Sequence, residues 1–146
     1  MTDVFDVAGH CLCGAVRYQA KAHPAHELHV CHCDMCRRWT GGPLMYFQIE
    51  GAPMIEGDEH VGRYRSSEKA ERAFCMRCGS VLFWKVVGAE WYTVTAGSVD
   101  KGPALTFTQE IFVEEKPGYY DFANDTAKLT GESAMAAYVD SSERAE

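Results

Sequence analysis

The chain has 146 residues, 47% of them hydrophobic, and a formal net charge of −7, a globular composition rather than a disordered or fibrous one. No run of lysine and arginine supplies the clustered cations that displace phosphate counterions, so nucleic acid is not expected as a partner. Met1 to Asp6 hold no basic segment followed by an apolar one, and no apolar stretch approaches the ~20 residues that span a bilayer, so the expected compartment is the cytoplasm, with no membrane partner.

In chain order, Gly14 to Ala20 alternates apolar and polar residues as a half-buried strand does. Leu28 to Cys31 predicts a strand running into a cysteine cluster, and Cys33 to Trp39 a short helical turn after it. Leu44 to Ile49 predicts a strand, closed by the turn signals Gly51 and Pro53. Further strands are expected at Val61 to Arg65, Ser80 to Lys85 and Trp91 to Thr95, with Gly97 and Gly102-Pro103 as punctuation. Gln109 to Val113 predicts a last strand, stopped near Pro117-Gly118; alanine-rich Ser133 to Tyr138 predicts a terminal helix, and Ser141 to Glu146 a fraying end. Many short strands and frequent turns indicate a mainly β protein, and the length suits one domain over residues 1–146.

The seven cysteines fall in three clusters: Cys11 and Cys13; Cys31, Cys33 and Cys36; Cys75 and Cys78. In a reducing cytosol, such spacing indicates metal ligands or redox groups rather than disulfides. Cys75-Met76-Arg77-Cys78-Gly79 is a knuckle that aims two sulfurs at one ion, with a glycine to turn the chain around it. Cys11-Leu12-Cys13-Gly14 offers the second pair that a tetrahedral structural zinc needs. The competing redox-pair reading of a C-x-x-C expects a βαβ context, which is absent.

Four cysteines used leave Cys31, Cys33 and Cys36. Three protein ligands leave one zinc position for water or substrate, as in catalytic sites. The alternative is a second structural zinc with His32, His29 or His10 as fourth ligand; strand alternation points His32 away from the face shared by Cys31 and Cys33. Arg37 and Arg38 follow at once and are placed to offset the charge or attract an anion. His23, His26 and His60 read as surface residues, and Trp39, Trp84, Trp91, Phe83 and Tyr92 as core. Glu114-Glu115 and Asp58-Glu59 read as solvated loop charges.

Gly9-His10-Cys11-Leu12-Cys13-Gly14-Ala15-Val16, Cys31 to Gly41, and Phe74-Cys75-Met76-Arg77-Cys78-Gly79-Ser80 together resemble the glutathione-dependent formaldehyde-activating enzyme family, which includes centromere protein V relatives. Gly97-Ser98-Val99-Asp100 and Gln109-Glu110-Ile111-Phe112 add to the likeness, which runs from about Gly9 to Tyr120 and leaves the tail 121–146 outside. The resemblance implies a zinc-clipped β fold of short antiparallel sheets, similar to methionine sulfoxide reductase B and small Rab-binding zinc proteins. It implies two Zn²⁺ per chain, a structural one on Cys11, Cys13, Cys75 and Cys78, and a catalytic one on Cys31, Cys33 and Cys36. It further implies a carbon–sulfur lyase acting on a small-molecule thiol or aldehyde, glutathione and formaldehyde among them. The rival readings are a non-catalytic zinc scaffold for a protein partner and a zinc hydrolase of imines or related adducts.

Overall fold

A computed structural model describes residues 5–137. The first four residues, Tyr138 and the expected fraying end Ser141 to Glu146 lie outside the described residues. In chain order the elements are strands β1 (Val7–His10), β2 (Arg17–Ala20) and β3 (Glu27–Cys31), helix α1 (Asp34–Thr40), then β4 (Leu44–Glu50), β5 (Met54–Glu56), β6 (Val61–Arg65), β7 (Ala70–Cys75), β8 (Val81–Val86), β9 (Trp91–Thr95), β10 (Val99–Lys101), β11 (Thr106–Ile111) and β12 (Ala127–Leu129). Residues 131–137 form a second helix, α2. The protein is mainly β, as its many short alternating segments require. Among the described residues no helix is long and apolar enough to cross a membrane.

The chain forms two compact units interleaved in sequence. The first takes residues up to 27 and 46–106. One of its sheets runs β10-β1-β2-β5 and is antiparallel throughout. The other runs β4-β9-β8-β7-β6, also antiparallel. Alternation along β2 sends Tyr18 and Ala20 inward and Arg17 and Gln19 outward. The core gathers Val7, Val16, Tyr18, Phe47, Ile49, Leu82, Phe83 and Val94, with Tyr18 edge-on to Phe83 at 5.0 Å between ring centres. Gly9 sits at a bulge in the β1–β10 pairing. A Cβ there would lie 2.3 Å from the Ser98 carbonyl oxygen, so glycine permits the close approach.

The second unit takes residues 28–45 and everything from 107. Its strands are ordered β12-β11-β3. Here the structure departs from the antiparallel expectation: β11 and β12 run parallel, Glu110 opposite Lys128. Helix α1 begins where the Cys33 sulfur accepts from the Cys36 N–H at 3.3 Å, and ends at Gly41 (φ 84°), whose N–H reaches the Arg37 carbonyl at 2.8 Å.

Several boundaries shift for identifiable reasons. The strand expected from Gly14 starts only at Arg17, because Gly14 (φ 82°) closes a turn on Cys11. The strand expected to reach Val113 stops at Ile111, because Phe112 takes a left-handed conformation (φ 57°) and opens a 3-10 turn over Val113–Glu115. In that turn Glu114, still exposed, and half-buried Glu115 also cap helices. The Glu115 carboxylate accepts from the Asp34 N–H of α1 at 2.8 Å, and Glu114 accepts from the Gly131 N–H of α2 at 3.0 Å.

Candidate metal centres

All seven cysteines are free thiols, and their sulfurs lie in two groups. Within each, the sulfurs are all within 4.8 Å of one another. Cys11, Cys13, Cys75 and Cys78 form one group and Cys31, Cys33 and Cys36 the other, the same partition that the spacing suggested. No histidine, aspartate or glutamate joins either group among the described residues.

The four-cysteine group lies wholly in the first unit. Cys11 and Cys13 flank the turn between β1 and β2, and Cys75 ends β7 with Cys78 on the turn to β8. Cys11–Cys13 and Cys13–Cys75 sulfurs are 3.7 and 3.8 Å apart. A tetrahedron with Zn–S bonds of about 2.3 Å has edges of about 3.8 Å, so the donor set fits zinc. A disulfide would need about 2.05 Å. Backbone N–H groups support the sulfurs: Val16 donates to Cys11 and Arg77 to Cys75, each at 3.3 Å.

Sequence reasoning passed over Ser80. Its hydroxyl contacts the Cys78 sulfur at 3.2 Å and accepts from the Leu12 N–H at 2.9 Å, joining the two cysteine turns. The Ser80 hydroxyl, with its backbone, pulls the Cys78 thiol down to about 5 and so favours the thiolate that binds metal. Cys13 moves the other way, to about 11: an Ala15 N–H lowers it, but desolvation and the three neighbouring sulfurs outweigh that bond. Replacing Ser80 by alanine is expected to weaken zinc retention by about 10–100-fold, the usual effect of losing such a supporting bond. Competition with a chromophoric chelator measures it.

The three-cysteine group lies wholly in the second unit. Cys31 ends β3, Cys33 caps α1 and Cys36 sits in its first turn, so a strand end and a helix start fix the three sulfurs. All three are buried, at 5%, 7% and 4% exposure. Crowding by the sulfurs of Cys33 and Cys36, then burial, drives the Cys31 thiol strongly upward. Three thiols packed this closely ionise together only beside a cation, and a thiophilic ion such as zinc suits the set.

His32 lies between two of these cysteines but is turned away from them. It is fully buried, and both ring nitrogens are engaged: Nε2 with the Glu110 carboxylate at 2.8 Å and Nδ1 with the Tyr120 hydroxyl at 2.7 Å. His32 is therefore not a ligand here, as strand alternation required. His10 pairs instead with Asp100, in the first unit. Glu110, 2% exposed, also accepts from the Thr126 hydroxyl at 2.5 Å, and Lys128 stands 3.7 Å away. Burial opposes its charge, but the bonds from Thr126 and His32 and the Lys128 cation hold its carboxyl below the ordinary 4.5.

The two arginines behave differently. Arg38 is 79% exposed and spent on Asp34 at 2.9 Å. Arg37 folds back, its Nε donating to the His32 carbonyl at 3.0 Å, while its Nη2 stands 3.8 Å from the same Asp34 carboxylate.

The family model described as glutathione-dependent formaldehyde-activating enzyme matches residues 6–115. A protein of Schizosaccharomyces pombe named as an uncharacterized lyase is 36% identical over 132 residues, covering 90% of this chain and 96% of the relative. A protein of Halomonas elongata, whose name places it among glutathione-dependent formaldehyde-activating enzymes, is 27% identical over 125 residues, covering 77% and 78%. A crystal structure of a Rhodobacter sphaeroides protein superposes with a TM-score of 0.57 at 21% identity, covering 69% of this chain and 99% of its own, and shares the fold.

Proposed function

The chain belongs to the glutathione-dependent formaldehyde-activating enzyme family, and we propose from this premise that it is a zinc-dependent carbon–sulfur lyase acting on thiol–aldehyde adducts such as S-hydroxymethylglutathione. One observation supports a catalytic second centre above others: three thiols converge while the nearest histidine has both nitrogens committed elsewhere. In this reading Cys11, Cys13, Cys75 and Cys78 hold a structural Zn²⁺, and Cys31, Cys33 and Cys36 hold a catalytic one.

When bound there, zinc supplies Lewis acidity and lowers the pKa of a thiol that reaches it. The chain's own residues supply position. Burial of the three cysteines keeps bulk water from their sulfurs and strengthens local electrostatics. Arg37, 27% exposed and anchored to the His32 carbonyl, is placed to take a substrate carboxylate or a developing oxyanion. Helix α1 carries both Cys36 and Arg37, so ligand and cation share one rigid mount.

Metal analysis tests the centre. Wild-type protein is expected to carry two zincs, and Cys33→Ser one, with the fold retained; a single zinc in fully reduced wild type removes the proposed second centre. Exchange NMR of glutathione with formaldehyde tests the reaction. Wild type is expected to speed adduct exchange, and Cys33→Ser to reduce the enzymatic part by at least about 100-fold. No acceleration by two-zinc protein overturns the lyase reading.

A further inference from the structure

The first turn of α1, which sets Cys33 and Cys36, is fastened from outside the helix. A helix leaves its first N–H groups without internal partners. In α1 the Cys36 N–H is met by the Cys33 sulfur at 3.3 Å. The Asp34 N–H, next in the chain to Cys33, is met by the Glu115 carboxylate at 2.8 Å. Just before the helix, the His32 N–H donates to the Ile111 carbonyl at 3.1 Å. The end of β3 and the start of α1 are thus both tied to residues 111–115.

Those residues are held in turn by chain beyond the stretch that the family model matches, which ends at 115. Strand β12 lies parallel to β11, with Leu129 opposite Ile111. After it, the Gly131 N–H donates to both oxygens of Glu114 at 3.0 Å. Gly131 is buried against the Phe112 ring: a Cβ there would lie 2.3 Å from Phe112 Cε1 and 2.9 Å from Glu114 Oε2. Phe112 itself sits at φ 57°, a conformation uncommon for a bulky residue and kept only where neighbours enforce it. It opens the turn that sends Glu114 to α2 and Glu115 to α1. Every residue in this chain of contacts belongs to the second unit.

We propose that Glu115 is a positioning residue for the three-cysteine centre, and that residues 127–131 are the brace that keeps it in place. The proposal rests on the reading of Cys31, Cys33 and Cys36 as a metal centre. Neither Glu114 nor Glu115 joins the sulfurs as a ligand, so their effect is on position. Crowded thiolates repel one another, and a helix of seven residues does not hold its own start. With the Asp34 N–H bonded, Cys33 and Cys36 are set for a common ion. Without that bond, metal binding must also order the turn, and affinity falls.

Zinc release from the full chain to a chromophoric chelator tests this, with Cys33→Ser identifying which zinc belongs to the three-cysteine centre. Glu115→Ala is expected to weaken retention there by about 10-fold and to leave the four-cysteine centre within about 2-fold of wild type. Glu115→Gln keeps an acceptor oxygen and is expected within about 3-fold of wild type. Gly131→Ala must displace the Phe112 ring and is expected to weaken the same centre by at least about 3-fold. Amide exchange NMR should show the Asp34 N–H losing protection in Glu115→Ala. Unchanged retention in Glu115→Ala, equal losses at both centres, or no rescue by glutamine overturns the positioning role. Unchanged retention in Gly131→Ala overturns the brace. Should Glu115→Ala not fold, Glu115→Asp withdraws the carboxylate by one methylene and is read in the same way. A wild type with one zinc removes the centre and this inference with it, whereas two zincs with no effect of the variants overturn this inference alone.

Discussion

Cys75→Ser is expected to abolish cooperative folding of the first unit and to remove its zinc. Cys75 is fully buried in the core cluster, and its sulfur stands 3.8 Å from that of Cys13, across 62 positions of chain. A structural zinc in small peptides contributes about 10–16 kcal/mol of apparent binding free energy. That rivals the whole stability of an ordinary domain, about 5–15 kcal/mol. Serine offers a harder, far more basic ligand and forfeits most of this term. Thermal scans by near-UV circular dichroism, with zinc content measured in parallel, give the readout. The transition should be lost in Cys75→Ser, while Cys33→Ser keeps one. A Cys75→Ser protein melting within a few degrees of wild type would show that the four sulfurs do not hold this unit together.

Glu110→Ala is expected to destabilise the protein by about 3 kcal/mol, because it strands the buried His32 Nε2–H and frees the Thr126 hydroxyl from its acceptor. Glu110→Gln, which keeps an oxygen for His32, should cost about 1 kcal/mol at neutral pH. The pH dependence has a definite sign. The folded state holds the Glu110 carboxyl below its ordinary 4.5, so its charge stabilises the fold fully above that value. That contribution is lost as pH falls through the folded value. Urea titrations should show a gap between wild type and Glu110→Gln at about pH 5 that closes below about 4.5. A gap that persists unchanged well below about pH 4 contradicts an ionised Glu110.

The grouping of the seven cysteines into four and three was legible in the sequence because cysteine spacing is a local signal. Cys31, Cys33 and Cys36 need only a strand end and one helical turn to meet. Pairing Cys11 and Cys13 with Cys75 and Cys78 needed only ligand arithmetic and two glycine-flanked turns. The β4, β8 and β9 strands announced themselves by apolar and β-branched residues. Strand β7 did not, because Ala70-Glu71-Arg72-Ala73 reads as polar surface; Arg72 is in fact buried, with its Nε on the Ser66 hydroxyl at 3.0 Å. Glu110 was hidden for a similar reason. A lone carboxylate in a strand declares nothing until His32, Thr126 and Lys128 arrive from distant segments. Ser80 and the capping role of Glu114 and Glu115 also depend on partners that no local pattern reveals. The parallel β11–β12 pair follows from chain return after a long irregular segment, where periodicity is silent.

The interleaving of the two units sets an order of events during synthesis. The ribosome releases all seven cysteines by position 78, whereas Glu110, Tyr120 and Thr126 emerge later. The thiols of Cys31, Cys33 and Cys36 therefore spend an interval outside the tunnel without the surroundings that later enclose them. During that interval oxidants and thiophilic ions have readier access to these three sulfurs than after the fold buries them.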